Sequence, residues 1–386
     1  MKIKSILGLL AVSTLMFNCG GESKTEEHTD GSSHEKTEES ADADHNSGAT
    51  KIVNKIHYKE EVHLKNIKQI TFGGDNAEAY WSFDDTKLVS QITNPAWGIE
   101  CDQIFIVDPS TTYESKQAKM VSTGKGRTTC SYFMPGDTTI LYASTHLGDD
   151  ACPPKPEKRE DGKYVWPIYP DFDIFVADLE GNIIQQLTDG DGYDAEGTVS
   201  AQGDKIVFTS TRTGDLELFT MDIDGSNVKQ ITFELGYDGG AFFSPDGTKL
   251  IFRSSRPKTE EDIKEYKDLL AQGLVKPTDM ELYVCNVDGS ELRQITHLGG
   301  ANWAPFYHPS GEKIIFCSNH AAEKGIPFNL FMVNEDGTGD VEQITFDGVF
   351  DSFPMFSYDG KKLIFSSNRN NNGTHETNLF VADWVD

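Results

Sequence analysis

The stretch from Lys229 to Arg256, KQITFELGYDGGAFFSPDGTKLIFRSSR, decides the fold. Two β-favouring runs, Gly240 to Ser244 and Lys249 to Arg253, flank Pro245-Asp246-Gly247, residue types suited to a tight reversal, so the segment predicts an antiparallel hairpin. The preceding Lys229 to Thr232 reads as a further strand. Glu281 to Asn286, ELYVCN, followed by Asp288-Gly289-Ser290, supplies another strand and turn. One unit is therefore four antiparallel strands.

Shortened or decorated copies of this unit recur along the chain. Aligning the residue before each hairpin turn gives Ser82, Met134, Ser200, Ser244, His308 and Ser357, at spacings of 44 to 66 residues. The shortest spacing matches the about 40–45 residues of a four-stranded propeller blade. The expected fold is all-β, a six-bladed β-propeller, and the uniform repeat favours one large domain over residues 53–386 rather than two smaller ones. The last copy ends on its third strand, Leu379 to Asp383, while Asn66 to Phe72 stands alone as an outer strand near the other end. Pairing these two closes the ring and removes an open sheet edge.

The formal net charge is −28. Nucleic-acid binding depends on lysine and arginine neutralising phosphates, so this acidity argues against it. It fits solubility, cationic partners or divalent metals. Residues 1–19 place Lys2 and Lys4 before an apolar run from Ile6 to Phe17, the pattern of a signal peptide. Cys19, followed by two glycines, resembles the lipid-attachment cysteine of bacterial lipoproteins. Residues 20–52 are acidic and poor in apolar side chains and read as a disordered tether. The expected location is the envelope of a Gram-negative-type bacterium, with lipid anchoring to the outer membrane and the propeller facing the periplasm or the surface.

Five cysteines remain beyond Cys19. Cys285 and Cys317 fall within strands and read as buried thiols. Cys101, Cys130 and Cys152 share one face of the predicted disc and are candidates for one disulfide, with the pairing open.

In an up-and-down blade the loops entering the first strand and joining the second to the third lie on one face, here the top, and the tight turns lie on the other. Excess length falls on the top, at His146 to Asp171 in blade two and Pro257 to Met280 in blade four, and long loops on a rigid scaffold are where binding usually resides. The blade-four insertion predicts a helix, with Thr259 as N-cap, Asp262 near N3, Gly273 at its end, and Ile263, Tyr266 and Leu270 on one apolar face. The proline-rich blade-two insertion ends in Tyr164, Trp166 and Tyr169, rings able to cover the channel mouth or stack on a sugar or peptide.

Six residues before each aligned turn position stand Asn76, Thr128, Asp194, Asp238, Asn302 and Asp351. Twelve residues after it stand Asn94, His146, Arg212, Arg256, His320 and Arg369. The two sets vary together, so Asp194–Arg212, Asp238–Arg256 and Asp351–Arg369 are expected as structural ion pairs across the hairpin. His146 and His320 lack a carboxylate partner and, with Asn302, Trp303, Trp166 and Tyr169, are the candidate top-face binding residues. The run Asp189 to Asp194 has carboxylates at calcium-like spacing but Ser200 where a loop-closing glutamate would stand, and reads as a polar turn. No motif calls for a cofactor or a metal.

The recurring QIT, FSPDGTKLIF and ELYVCNVDG resemble the WD40-like (PD40) propeller repeat of the TolB family, over roughly Asn66 to Trp384. That resemblance implies a non-catalytic binding platform that contacts lipoprotein partners of the envelope. Where that family carries an α/β domain before the propeller, this chain has the lipoprotein-like tether. No Gly-x-Ser-x-Gly elbow and no His-Glu-x-x-His occurs. The expectation is an envelope scaffold presenting its top face to a protein, peptide or glycan. The enzyme alternative is a metal-dependent polysaccharide-cleaving propeller resembling oligogalacturonate lyases, with His146, His297, His320 and His375 as its candidate ligands.

Overall fold

The computed structural model describes residues 55–386 apart from Lys158 and Lys324. The expected signal peptide, Cys19 and the tether lie outside the described residues. Among those residues no helix is long and apolar enough to cross a membrane.

Six four-stranded antiparallel sheets follow one another along the chain. Their innermost strands are Asp75–Trp81, Thr128–Phe133, Asp194–Val199, Asp238–Phe243, Asn302–Tyr307 and Asp351–Phe356. Each packs beside the next, and the first meets the last, so the ring is closed. The closing blade takes three strands from the end of the chain and its outer strand, Leu64–Gln69, from the beginning, with Leu64 opposite Trp384 and Gln69 opposite Phe380.

Burial on both faces of every blade explains why the second strands show apolar runs rather than alternation. Leu250, Ile251 and Phe252 are consecutive and all fully buried, as are Leu363, Ile364 and Phe365. Each sheet is sandwiched between two neighbours, so both sides of the strand contribute apolar area.

The repeated QIT ends the outer strand instead of extending it. The strand expected over Lys229 to Thr232 pairs only at Lys229–Gln230. Ile231 N–H still donates to the Leu218 carbonyl at 2.8 Å, but the next donor, Leu218 N–H, is taken by the Thr232 hydroxyl at 2.9 Å. Thr71, Thr188, Thr296 and Thr345 do the same at 2.8–2.9 Å, as does Ser122 in blade one. The isoleucine between glutamine and threonine is buried at Ile70, Ile231, Ile295 and Ile344. A side-chain hydroxyl thus terminates each ladder and leaves only a short outer edge for another chain to pair with.

The helix, α1, spans Glu260–Leu270 and has the expected capping box, Thr259 and Asp262 bonding each other's backbone. Its buried residues are Tyr266 and Leu269. Ile263 and Leu270, expected on the apolar face with Tyr266, are only half-buried. The contact is rotated because the Tyr266 hydroxyl reaches down to donate to Asp215 of blade three.

Beyond the helix, Leu274–Val275 pairs antiparallel with Trp166–Pro167. The long insertions of blades two and four therefore meet in a two-stranded ribbon across blade three. Cys101, in the third strand of blade one, is bonded to Cys152 at the base of the blade-two insertion. Cys130 is the free thiol of the three candidates, and Cys285 and Cys317 are free and buried.

Candidate functional site

All six innermost strands carry a register shift at the same place. The residue there lies four positions before the aligned turn residue and has positive φ: Glu78 at 50°, Cys130 at 43°, Glu196 at 58°, Gly240 at 59°, Ala304 at 44° and Phe353 at 51°. Left-handed backbone is costly for a residue with a Cβ, and its sixfold repetition marks a built feature that aims these side chains together. All six line one cavity of about 810 Å³.

The cavity has two unlike halves. Blades four to six contribute Gly240, Ala304 and Phe353, backed by Trp303, Phe328 and Phe350. Blades one to three contribute Glu78, Cys130 and Glu196. The ribbon adds Trp166 and Pro167, with Ile168 and Tyr169 beyond it. Trp166 packs against Trp303 with ring centroids 5.1 Å apart, and Trp303 stacks on Phe328 at 4.5 Å. Trp303 Nε1–H donates to the Pro277 carbonyl at 3.1 Å, and the Tyr169 hydroxyl to the Pro154 carbonyl at 2.8 Å, so both rings are held.

Glu196 and Arg253 form a buried ion pair. The Glu196 carboxylate also accepts hydrogen bonds from Thr209 Oγ1 at 2.6 Å, the Tyr237 hydroxyl at 2.8 Å and Gly240 N–H at 2.9 Å. Burial pushes its carboxyl up, but the Arg253 charge and these donors outweigh burial and hold it below the usual carboxylate range. The Arg253 guanidinium lies 4.9 Å from the Tyr237 ring centroid and 5.5 Å from Trp166. It fills the space a side chain at position 240 would need, which is why that bulge is a glycine. Asp102 and Arg127 form a second ion pair in the wall.

Among the described residues Glu78 has no ion-pair partner. Its Oε2 lacks any hydrogen-bond partner. Burial pushes its carboxyl up to about 7, with the Cys130 thiol offsetting part of the effect. Burial and the nearby Glu78 and Glu196 charges raise the Cys130 thiol well above its ordinary value, so it stands as a neutral donor.

The three Asp–Arg pairs are formed. Arg212 Nη2 lies 2.9 Å from Asp194, Arg256 Nη2 2.8 Å from Asp238, and Arg369 Nη2 2.9 Å from Asp351. Arg369 is also held by Glu61 at 3.0 Å, a partner that sequence spacing does not show because it comes from the other end of the ring. Each arginine lies over aromatic rings of its own blade: Arg212 is 5.1 Å from Phe208 and 5.0 Å from Phe219, and Arg369 is 5.0 Å from Phe365.

His146 and His320 occupy that same arginine slot. Their rings lie 4.5 Å from Phe175 and Phe331, and Nδ1 bonds the hydroxyls of Ser144 at 2.9 Å and Ser318 at 2.8 Å. Burial moves both below the ordinary histidine range. Neither lines the cavity, and ring packing takes the place of the ion pair at both positions. Asn302 is also an internal anchor, donating to the Met280 carbonyl at 2.7 Å and accepting from Ser318 Oγ at 2.7 Å. Of the candidate binding residues, the structure brings together Trp166, Tyr169 and Trp303.

The four histidines of the enzyme alternative are not gathered. His297 is exposed beside a second pocket under α1, and His375 is exposed in a loop. Among the described residues no three His, Cys, Asp or Glu side chains converge to hold one metal ion. The bulge ring itself is invisible to motif reading, because Glu, Cys, Glu, Gly, Ala and Phe share no chemistry. Its one signal is that Glu78 and Glu196 stand at the same register of their inner strands.

These features define a six-bladed β-propeller with a cavity at its centre. Residues 169–272 match the family described as the TolB beta propeller domain, PD40. The fold is similar to that of a putative TolB from Agrobacterium tumefaciens, 19% identical, covering 81% of this chain and 91% of that one with a TM-score of 0.52. It is also similar to TolB from Acinetobacter baumannii, at 18% identity and TM-score 0.47, covering 80% of this chain and 63% of that one. An oligogalacturonate lyase in complex with manganese is 12% identical, covering 83% and 91% of the two chains with a TM-score of 0.47. No curated protein matches the chain in sequence. At these identities the likeness concerns the fold alone.

Proposed function

We propose that this chain is a binding module of the cell envelope, exported and tethered through Cys19, whose central cavity holds a segment of a protein partner. The observation that carries this reading is the cavity: six inner-strand bulges, a ribbon built from two insertions and the rings of Trp166, Tyr169 and Trp303 converge on one space of about 810 Å³. A site of that size, mostly apolar with a few placed polar groups, suits a few side chains of an extended peptide. The second and third shells of the ring, where His146 and His320 sit, serve to keep the blades in place. Capture of partners from envelope extracts on the purified protein tests the reading. A partner retained by wild type and lost from both Trp166→Ala and Trp303→Ala supports it. Retention by both variants points to another surface and overturns it.

A further inference from the structure

We propose that the cavity is a cation site: it takes an ammonium or guanidinium group on an apolar stem, as a lysine or arginine side chain or a peptide amino terminus presents, against the carboxylate of Glu78. This rests on the cavity being the ligand site, and it specifies the ligand's chemistry.

Charge accounting within the wall leads there. Among the described residues of the wall, Asp102 is paired with Arg127 and Glu196 with Arg253, which leaves Glu78 as the one acidic side chain without an ion-pair partner. The neutral Cys130 thiol lies beside it, and among the described residues Oε2 has no hydrogen-bond partner. A buried carboxylate oxygen left unmatched costs free energy that an incoming donor recovers. An anionic ligand would have to compete with Glu196 for Arg253 while approaching Glu78, so the wall disfavours it.

The surrounding rings point the same way. Tyr80 lies in the same wall two residues from Glu78, with its ring 5.6 Å from Phe242 and 5.5 Å from Tyr132. Aromatic faces attract cations. The protein already uses that attraction inside this cavity, where Arg253 rests between Tyr237 and Trp166. The net charge of −28 adds long-range steering of cations toward the molecule.

Three fragments of one shape separate the possibilities: phenethylammonium, 2-phenylethanol and 3-phenylpropionate, each titrated into the purified protein by ligand-observed NMR, with maltotriose as a neutral sugar. The expected result is that phenethylammonium binds at least about tenfold tighter than the alcohol, the gain of one charge-assisted contact, with the carboxylate weakest. Glu78→Gln should abolish that preference, bringing phenethylammonium to about the alcohol's affinity for the same variant. Equal binding of the three fragments, or tightest binding of the carboxylate, overturns the cation site and leaves the cavity as a ligand site. Maltotriose binding tighter than the cation, and lost in Trp303→Ala, would replace the peptide with a glycan. No binding of any probe would overturn the cavity as well.

Discussion

Glu78 is the residue on which the proposed cation site turns, and its chemistry has a measurable consequence for stability. Burial raises its carboxyl to about 7, above the value in an unfolded chain. Between about pH 4.5 and 7 the native state therefore holds a proton that the unfolded state has released, so stability falls as pH rises through that window. In Glu78→Gln this fall disappears. Relative to wild type, the variant should gain on the order of 1–3 kcal/mol between pH 4.5 and 7.5, read from denaturant midpoints across pH. A parallel pair of stability curves would refute the buried, unpaired carboxyl. Gly240 gives a second test at this scale, since a Cβ there would fall on the Arg253 guanidinium and the backbone has φ 59°. Gly240→Ala should cost about 2–4 kcal/mol by forcing Arg253 off Glu196. Residue-level legibility was uneven for a physical reason. The Asp–Arg pairs could be read because both partners sit at fixed distances from a recurring turn and change together from blade to blade. The bulge ring could not, because its common property is a backbone conformation rather than a side-chain type.

Among the elements, the two insertions matter most, because they bring Trp166 and Tyr169 over the cavity. The helix was legible from Thr259, Asp262 and Gly273, since capping is local chemistry. The ribbon of Trp166–Pro167 with Leu274–Val275 was not, because so few residues pair across more than a whole blade. The disulfide was narrowed to three cysteines by topology. The bulge at Cys130 then settles the pairing by turning that thiol into the cavity toward Glu78, away from Cys101 and Cys152. Cys101 and Cys152 close a loop across a separation of 51 residues, worth up to about 4 kcal/mol by loop-closure entropy. Replacing both with serine should lower stability by about 2–4 kcal/mol and raise hydrogen exchange in the blade-two insertion before the inner strands respond. Unchanged exchange over residues 152–172 would show that the ribbon alone fixes the insertion.

For the molecule as a whole, closure by the N-terminal strand is the organising fact. It was legible because the last repeat lacks an outer strand and an isolated QIT stands near the other end. What the repeat does not show is how tightly the ends are joined. Glu61 reaches fully buried Arg369, and the His63 ring stacks on Trp384 at 5.0 Å between centroids. Removing residues 55–70 should therefore do more than shorten one sheet. It should strip Arg369 of one carboxylate, expose the edge of Asn378–Trp384 and abolish cooperative unfolding, with aggregates on size exclusion. A monomer with an unchanged melting temperature would show that five complete blades suffice. The central claim, that the partner enters the cavity, is tested most directly by hydrogen exchange of the protein with and without a peptide from the captured partner's basic segment. The account predicts protection confined to the inner-strand bulges around Glu78, Cys130 and Glu196 and to residues 164–172. Protection along the outer strands or the tight turns of the opposite face, with the bulges unchanged, would contradict it.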